Sequence, residues 1–366
     1  MPKKPKTVCV ISTLINSEQA IKDGLEKLRQ AKIRNPQQGI EFALLCDLPA
    51  AKTEKLYDDK KLLDRIEPLM AEKGLESAVV LVRNRSFCKT QSCFQGKERK
   101  RGAIEELARF CRGEKVRFRQ ISGSGKKLHG ADYLVALDYD TLPLMDTVQE
   151  LALAAMHPLN KKWGILAPRI STSLASSLKT EFSRQMGGCG GVGCISAYDS
   201  VSGEFYSDCF GEGIFTGKGL IRIKPFLERT RNAFPAEYVL SHDILEGGLL
   251  GVKFTGDVEF SDSFPSGSKA YFKRQHRWLR GDFQNLRFIF KKEFSPLTKF
   301  KLYDNFRRGI TPISVTALLF AAIYGLARIP SINSWPLLNK IGFCQRISFF
   351  FNYVPIAWLS ILHLKQ

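Results

Sequence analysis

Short apolar runs that alternate with amphipathic segments dominate the first half of the chain. The runs are short and rich in Val, Leu and Ile, so they predict buried strands. They fall at Thr7–Ser12, Glu41–Asp47, Ala78–Val82, Tyr133–Leu137 and Trp163–Arg169. Ser17 precedes an apolar stripe typical of a capped helix that reaches Ala31, and a later helix is predicted over Leu142–Met156. Strands that alternate with helices predict an α/β fold with a mostly parallel central sheet.

Polar residues follow these strands at their carboxyl ends. Thr13 follows the first strand, Asp47 ends the second, and Asp138 and Asp140 follow Tyr133–Leu137. Ligands of parallel sheets bind at this edge. Two carboxylates at i and i+2 share one face, and their oxygens suit a hard divalent cation such as Mg²⁺ or Mn²⁺. Such a cation would neutralise a diphosphate; the alternative is a polar strand-to-turn junction without a ligand.

The chain is strongly basic. Its 55 Lys and Arg against 36 Asp and Glu give a net charge of +19, which predicts an anionic partner. Anionic lipid and phosphate-bearing substrates are the favoured partners, because no recognised nucleic-acid module is present. The nine cysteines include no Cys-x-x-Cys pair, so reduced thiols are predicted, with neither a disulfide frame nor a zinc site.

Two segments carry glycine beside a cation. Lys100 lies in a basic cluster just before Gly102 and a predicted amphipathic helix, an arrangement that suits a phosphate group. The segment 208–219 is rich in glycine, which lets a backbone lie close to a sugar or phosphate or simply makes turns. Its candidate contact residues are Glu212, Gly217 and Lys218.

A cluster of ionisable residues lies where an apolar segment gives way to a helix. Here Asp243 is either a helix N-cap or a general base, and His242 and Glu246 flank it. Further along, arginines that could chelate a diphosphate stand beside an indole on which a hexose could stack. That segment contains Arg274, Gln275, Arg277 and Trp278.

The chain resembles family-2-like processive glycosyltransferases, and most of all the glycosyltransferase domain of cyclic β-1,2-glucan synthases, glycosyltransferase family 84. The resemblance covers about Thr7 to Gln284. Five motifs in the same order carry it, although each alone would be weak. They are Glu98-Arg-Lys-Arg-Gly102, Leu137-Asp-Tyr-Asp-Thr141, Phe210-Gly-Glu-Gly-Ile-Phe-Thr-Gly-Lys-Gly219, Leu240-Ser-His-Asp-Ile-Leu-Glu-Gly247 and His276-Arg-Trp-Leu-Arg-Gly-Asp282.

This resemblance implies a nucleotide-diphospho-sugar transferase fold of the GT-A type, UDP-glucose as donor, a β-glucan acceptor, Mg²⁺ or Mn²⁺, and inversion at the anomeric carbon. It also implies roles for the candidate residues. Asp47 would bind uracil, Lys100 and Gly102 the nucleotide or diphosphate, Asp138 and Asp140 the metal, Asp243 would be the base, and Arg277 with Trp278 would clamp donor and acceptor. Thr13, Arg274 and Gln275 would contact the nucleotide-sugar, and Glu212, Gly217, Lys218, His242 and Glu246 the acceptor or nearby loops.

Two departures from the family pattern limit these implications. The broader clan has Gln three positions before the Arg-Trp pair, whereas Arg274 stands there and Gln275 follows. The family's proteins are also far longer, with a carbohydrate-phosphorylase-like domain, so the chain is interpreted as a fragment or a stand-alone module. A catalytically silent sugar-nucleotide-binding or scaffold module, or a synthase for another sugar or linkage, remains the alternative.

The C-terminal part changes in composition. Residues 285–309 mix aromatic and basic residues as interfacial helices do, and the apolar runs 310–327 and 347–364 predict transmembrane helices. Buried core helices are the alternative. Basic residues before the first run predict that the glycosyltransferase domain, residues 1–284, faces the cytoplasm at a bacterial inner membrane and contacts anionic lipids.

Overall fold

The computed structural model describes residues 5–188, 191–192, 198–200, 203–235, 237–239 and 241–327. Two compact units divide the chain at Met1–Leu302 and Tyr303–Gln366. The apolar run predicted at 347–364 lies outside the described residues. Among those described, no helix is both long enough and apolar enough to cross a membrane, so the transmembrane helix predicted at 310–327 is not found.

The described residues form strands and helices in alternation. The strands are β1 (Thr7–Leu14), β2 (Ile40–Asp47), β3 (Val79–Arg83), β4 (Arg85–Cys88), β5 (Cys93–Gly96), β6 (Phe118–Ser122), β7 (Tyr133–Asp138), β8 (Thr141–Pro143), β9 (Ile165–Thr172), β10 (Gly191–Val192), β11 (Gly219–Arg222) and β12 (Val252–Asp262). The helices are α1 (Glu18–Arg34), α2 (Tyr57–Leu63), α3 (Ile66–Glu72), α4 (Arg99–Cys111), α5 (Thr147–Met156), α6 (Leu174–Ser177), α7 (Glu181–Met186), α8 (Phe205–Phe210), α9 (Ile223–Thr230), α10 (Asp243–Leu250), α11 (Ser268–Asn285) and α12 (Pro296–Ala327).

The main sheet has the strand order β6-β3-β2-β1-β7-β11-β9-β12-β8, with β10 paired to β9. The pairs β3–β2, β2–β1, β1–β7 and β9–β12 are parallel, whereas β6, β8, β10 and β11 run against their neighbours. Most strands of the sheet therefore point in one direction, which confirms the predicted α/β class with a mostly parallel central sheet.

Apolar residues of the central strands alternate between two cores, one on each face of the sheet. Ile11 of β1 packs in a core with residues of α1, α3 and α5, and its neighbour Val10 packs in a second core with residues of α4 and α9. Helices on both faces explain why these strands are nearly continuous apolar runs in the sequence.

Helix boundaries depart from the predictions at three points. The Ser17 hydroxyl caps α1 by accepting from the Ala20 amide, as predicted. The helix predicted from Leu142 begins instead at Thr147, because β8 first pairs with β12. Gly102, predicted just before a helix, lies inside α4, and His242 occupies the N-cap position predicted for Asp243.

Candidate active site

The strand register brings the predicted carboxylates to one edge of the sheet. Leu14 of β1 pairs with Asp47 of β2, and Ser12 of β1 pairs with Asp138 of β7. Asp262 joins them at the end of β12, where it pairs with Thr141 of β8. Asp262 lies outside the five sequence motifs and was not predicted as a site residue.

Two lysines from different segments neutralise these carboxylates. The Lys100 Nζ atom lies 2.5 Å from Asp138 Oδ1 and donates to the Gly217 carbonyl at 2.7 Å. Lys218 donates to Asp262 and lies 3.8 Å from Asp138 Oδ2. Cations and carboxylates therefore alternate along the cluster from Lys100 to Asp262.

Asp140 has a different environment from its neighbour Asp138. Burial alone would raise the pKa of Asp138, but the charges of Lys100 and Lys218 hold it below its usual value. At Asp140, burial and the nearby negative charge of Asp262 raise the pKa. A further positive charge near Asp140 would therefore stabilise its carboxylate form.

The described residues contain no group of three or more His, Cys, Asp or Glu side chains that could hold a metal ion. The chemistry of the pair Asp138 and Asp140 nevertheless fits a hard cation. Both supply carboxylate oxygens, and a bound cation would offset the burial and the nearby negative charge that raise the pKa of Asp140.

Asp243 lies at the start of α10 and faces the segment rich in glycine. A Cβ atom on Gly217, whose φ is +83°, would lie 2.8 Å from Asp243 Oδ1, so this close approach requires glycine. Burial raises the pKa of Asp243, and the charges of His242 and Lys100 oppose that shift. Asp243 is therefore linked through Gly217 to the lysine that binds Asp138.

Arg83 was not recognised in the sequence, where it belonged to a basic window assigned to a solvated face. Its side chain is fully buried, and it contacts both carboxylate oxygens of Asp47 at 2.9 and 3.1 Å. It also donates to Glu106 at 2.8 Å. An arginine at the end of an apolar strand, three dozen residues after Asp47, gave no local signal of this pairing.

The same guanidinium fixes the turn that leads into α4. Arg83 donates to the Lys97 carbonyl at 2.6 Å and to the Arg99 carbonyl at 3.1 Å. Glu98 and Arg99 both have left-handed backbone conformations, with φ of 53° and 50°. A Cβ atom on Gly102 would lie 2.1 Å from the Lys97 carbonyl oxygen, so this turn requires glycine at position 102. The turn presents Lys100 to Asp138.

Helix α11 carries the arginines and the indole. The Arg274 guanidinium lies over the Trp278 ring, 4.8 Å from its centroid. Burial lowers the pKa of Arg274, and the charges of Asp140 and Asp262 oppose this shift, so Arg274 lies near the carboxylate cluster. Gln275 is partly buried, and Arg277 is exposed.

The structure places the remaining predicted contact residues at three separate positions. His242 and Glu246 accompany Asp243 on α10, with 2.8 Å between Nδ1 and Oε2. Glu212 instead pairs with Lys301 at 2.9 Å. Thr13 is the penultimate residue of β1, next to Leu14, which pairs with Asp47 in the strand register. The cluster thus gathers residues from four of the five motifs, and Arg274, two residues before the fifth, lies near it.

Comparison with known proteins agrees with the resemblance given by these motifs. No family model matches the chain. It is 30% identical over 365 residues to the cyclic β-(1,2)-glucan synthase NdvB of Rhizobium meliloti (strain 1021). The chain is similar to one segment of a cyclic β-(1,2)-glucan synthase. The match covers 92% of this chain but only 12% of NdvB.

Solved structures of S. aureus TarS also match. The match to one TarS structure covers 83% of this chain and 43% of the TarS chain. The match to TarS 1–349 covers 89% of this chain and 76% of that one. Both have a TM-score of 0.39 and 9% sequence identity. The resemblance to cyclic β-(1,2)-glucan synthases is confirmed by the NdvB match.

Replacing Arg83 by Met should strongly destabilise the protein. The change leaves Asp47 and Glu106 without their buried partner, and breaking a buried ion pair in this way typically costs about 3–5 kcal/mol. Urea unfolding followed by circular dichroism measures the effect. The control is Arg65→Met, which breaks an exposed pair with Glu18 and should leave the midpoint nearly unchanged. Equal midpoints for the two variants would contradict the role given to Arg83.

Proposed function

We propose that this chain is an inverting glucosyltransferase of the GT-A type that moves glucose from UDP-glucose to a growing β-1,2-glucan. The observation that carries the proposal is the convergence of Lys100, Asp138, Lys218 and Asp243 at the carboxyl edge of the sheet. These residues come from four separate motifs. The similarity to a segment of NdvB supports the choice of sugar and linkage.

Asp243 accepts the proton of the attacking acceptor hydroxyl in this proposal. Its pKa is raised by burial, so the carboxylate is a stronger base than an exposed aspartate. The acceptor oxygen forms a bond to the anomeric carbon from one side while the bond to UDP breaks on the other. Asp243 and Asp138 lie on either side of the Lys100–Gly217 contact, which suits an acceptor and a leaving diphosphate at separate positions.

Positive charge receives the leaving diphosphate. Lys100, Lys218 and Arg274 surround the carboxylates, and Arg277 lies on the same helix as Arg274. Mg²⁺ or Mn²⁺ held by Asp138 and Asp140 would supply further Lewis-acid neutralisation of the phosphate oxygens. Asp47 would contact the uracil end, and Trp278 would offer its ring face to a hexose.

A catalytically silent sugar-nucleotide-binding module is the competing function. Its nucleotide contacts would be the same, but it would not need a carboxylate with a raised pKa beside the acceptor. The Asp243 side chain is 30% exposed and has such a pKa, and its buried neighbours His242 and Glu246 add ionisable groups that a binding module would not need. This observation favours the enzyme.

Asp243→Asn should strongly lower the rate of transfer without unfolding the protein. Asn has nearly the same shape but cannot accept the proton, and loss of a general base typically lowers the rate by about 10²–10⁴-fold. Radiolabelled transfer assays measure the rate, and calorimetric titration measures the affinity for UDP, which should change little. The exposed Asp58→Asn is the matched control. Wild-type transfer by Asp243→Asn would leave His242 or Glu246 as the candidate base.

The pH profile of the wild-type enzyme follows from the same pKa. Asp243 must be a carboxylate to accept the proton, so activity is present above its pKa and is lost as the pH falls through that value. The raised pKa places this loss at a higher pH than for an ordinary aspartate. An acid limb that persists unchanged in a partly active Asp243→Asn variant would assign the limb to another group.

UDP binding should depend on a divalent cation through Asp140. We expect chelation to weaken UDP binding to the wild type by about tenfold or more, because Lewis-acid contacts contribute several kcal/mol. Asp140→Asn removes one ligand charge and should lose most of this metal dependence. Titration calorimetry with UDP, in the presence of Mg²⁺ or EDTA, makes the comparison, and Asp58→Asn is again the control. Full metal dependence in Asp140→Asn would contradict the assignment.

We also propose that the protein acts at the cytoplasmic side of a bacterial inner membrane, attached through residues after Leu302. A truncation after Arg308 removes the apolar runs but keeps Thr298, Phe300 and Lys301, which are buried in the first unit. This variant should retain UDP binding and lose flotation with vesicles that contain anionic lipid. Equal flotation of the truncated and full chains would contradict attachment through the removed residues.

A further inference from the structure

A buried acid–base pair lies directly behind the proposed base. His242 and Glu246 are one turn apart at the start of α10, with 2.8 Å between His242 Nδ1 and Glu246 Oε2. Their exposed fractions are only 9% and 2%. A buried carboxylate and imidazole at this distance interact strongly, because little water is present to screen their charges.

The same imidazole nitrogen also faces Asp243. His242 Nδ1 lies 3.4 Å from Asp243 Oδ1 as a charge contact, while its hydrogen bond goes to Glu246. Other elements contribute Lys100 from α4 and Asp138 from β7 to the electrostatic environment of Asp243. Glu246 Oε1 is buried without a hydrogen-bond partner among the described contacts, so Glu246 depends on His242.

We propose that the His242–Glu246 pair is a positioning device that orients the Asp243 carboxylate toward the acceptor hydroxyl. The inference rests on the proposed function, because it assigns these residues to the base of that reaction. Glu246 holds the imidazole from within the helix by a hydrogen bond, and the imidazole attracts the Asp243 carboxylate at the first helical turn across 3.4 Å. Neither residue of the pair needs to touch the substrate.

The electrostatics of the pair agree with this role. Burial alone would lower the pKa of His242, but the charges of Glu246 and Asp243 raise it above its usual value. At Asp243 the charge of His242 acts more strongly than that of Glu246, and it opposes the effect of burial. Removing both charges of the pair should therefore raise the pKa of Asp243 further.

A charge-neutral double variant separates positioning from folding. His242→Gln alone would leave the buried Glu246 unpaired and could unfold the helix, whereas His242→Gln with Glu246→Gln leaves no buried charge and retains hydrogen-bonding groups. We expect kcat to fall about 10- to 100-fold, since small displacements of a reacting group have effects of this size. KM for UDP-glucose should change little, and the acid limb of kcat/KM should move to higher pH.

The experiment measures kcat, KM, the pH profile and thermal unfolding for the wild type, the double variant, Asp243→Asn and the exposed His157→Gln as control. Lower kcat, nearly constant KM and a shifted acid limb in the double variant support the proposal. Wild-type kcat with an unmoved limb overturns it, as does a parallel loss of kcat, UDP affinity and thermal stability, which indicates a structural role only.

The same variants distinguish failure of the proposed function from failure of the positioning role. If Asp243→Asn is inactive while the double variant behaves as wild type, the proposed function stands and the positioning role is wrong. If Asp243→Asn transfers at the wild-type rate, Asp243 is not the base, and the positioning role falls with it.

Discussion

The buried guanidinium of Arg83 is the contact on which the geometry of the site depends. A fully buried arginine is tolerated only when its donors are satisfied, and here they reach Asp47, Glu106 and two backbone carbonyls of the turn before α4. These partners come from β2, α4 and the left-handed turn that precedes it. One side chain therefore fixes both the carboxylate at the end of β2 and the position from which Lys100 reaches Asp138. The strained backbone at Glu98 and Arg99 is stable because this network determines it.

The alternation of lysines and carboxylates at the sheet edge explains how a strongly basic protein can keep several acids in one cluster. Each lysine reduces the repulsion between the carboxylates, while burial keeps their interactions strong. Burial alone would lower the pKa of Lys218, but the surrounding carboxylates raise it, so Lys218 stays charged. A diphosphate that enters this cluster would compete with the carboxylates for the lysines. A divalent cation on Asp138 and Asp140 would remove that competition.

The sequence predicted the parts of the molecule that depend on local pattern. Buried strands, the Ser17 cap and the polar ends of β1, β2 and β7 follow from short-range periodicity, and the structure has them. Contacts between distant segments gave no such signal. Asp262 meets Lys218 across 44 residues, and Arg83 meets Asp47 across 36. Asp243 was a plausible N-cap by residue type. In the structure, however, Asp243 is the first residue of α10, so the N-cap position falls on His242.

Residues at the start of α12 also hold parts of the site in place, although they are distant from it in the sequence. A Cβ atom on Gly248 would lie 2.3 Å from the Thr298 side chain, so α10, which carries Asp243, packs tightly on this turn. Lys301 binds Glu212 at 2.9 Å and the Gly213 carbonyl at 2.7 Å, in the segment that also contains Gly217 and Lys218. The residues that begin α12 therefore support both α10 and the segment 208–219, the two parts of the chain that lie beside the proposed base. A truncation before Ser295 would disturb the acceptor side directly, and a loss of activity in such a protein would carry no information about membrane attachment.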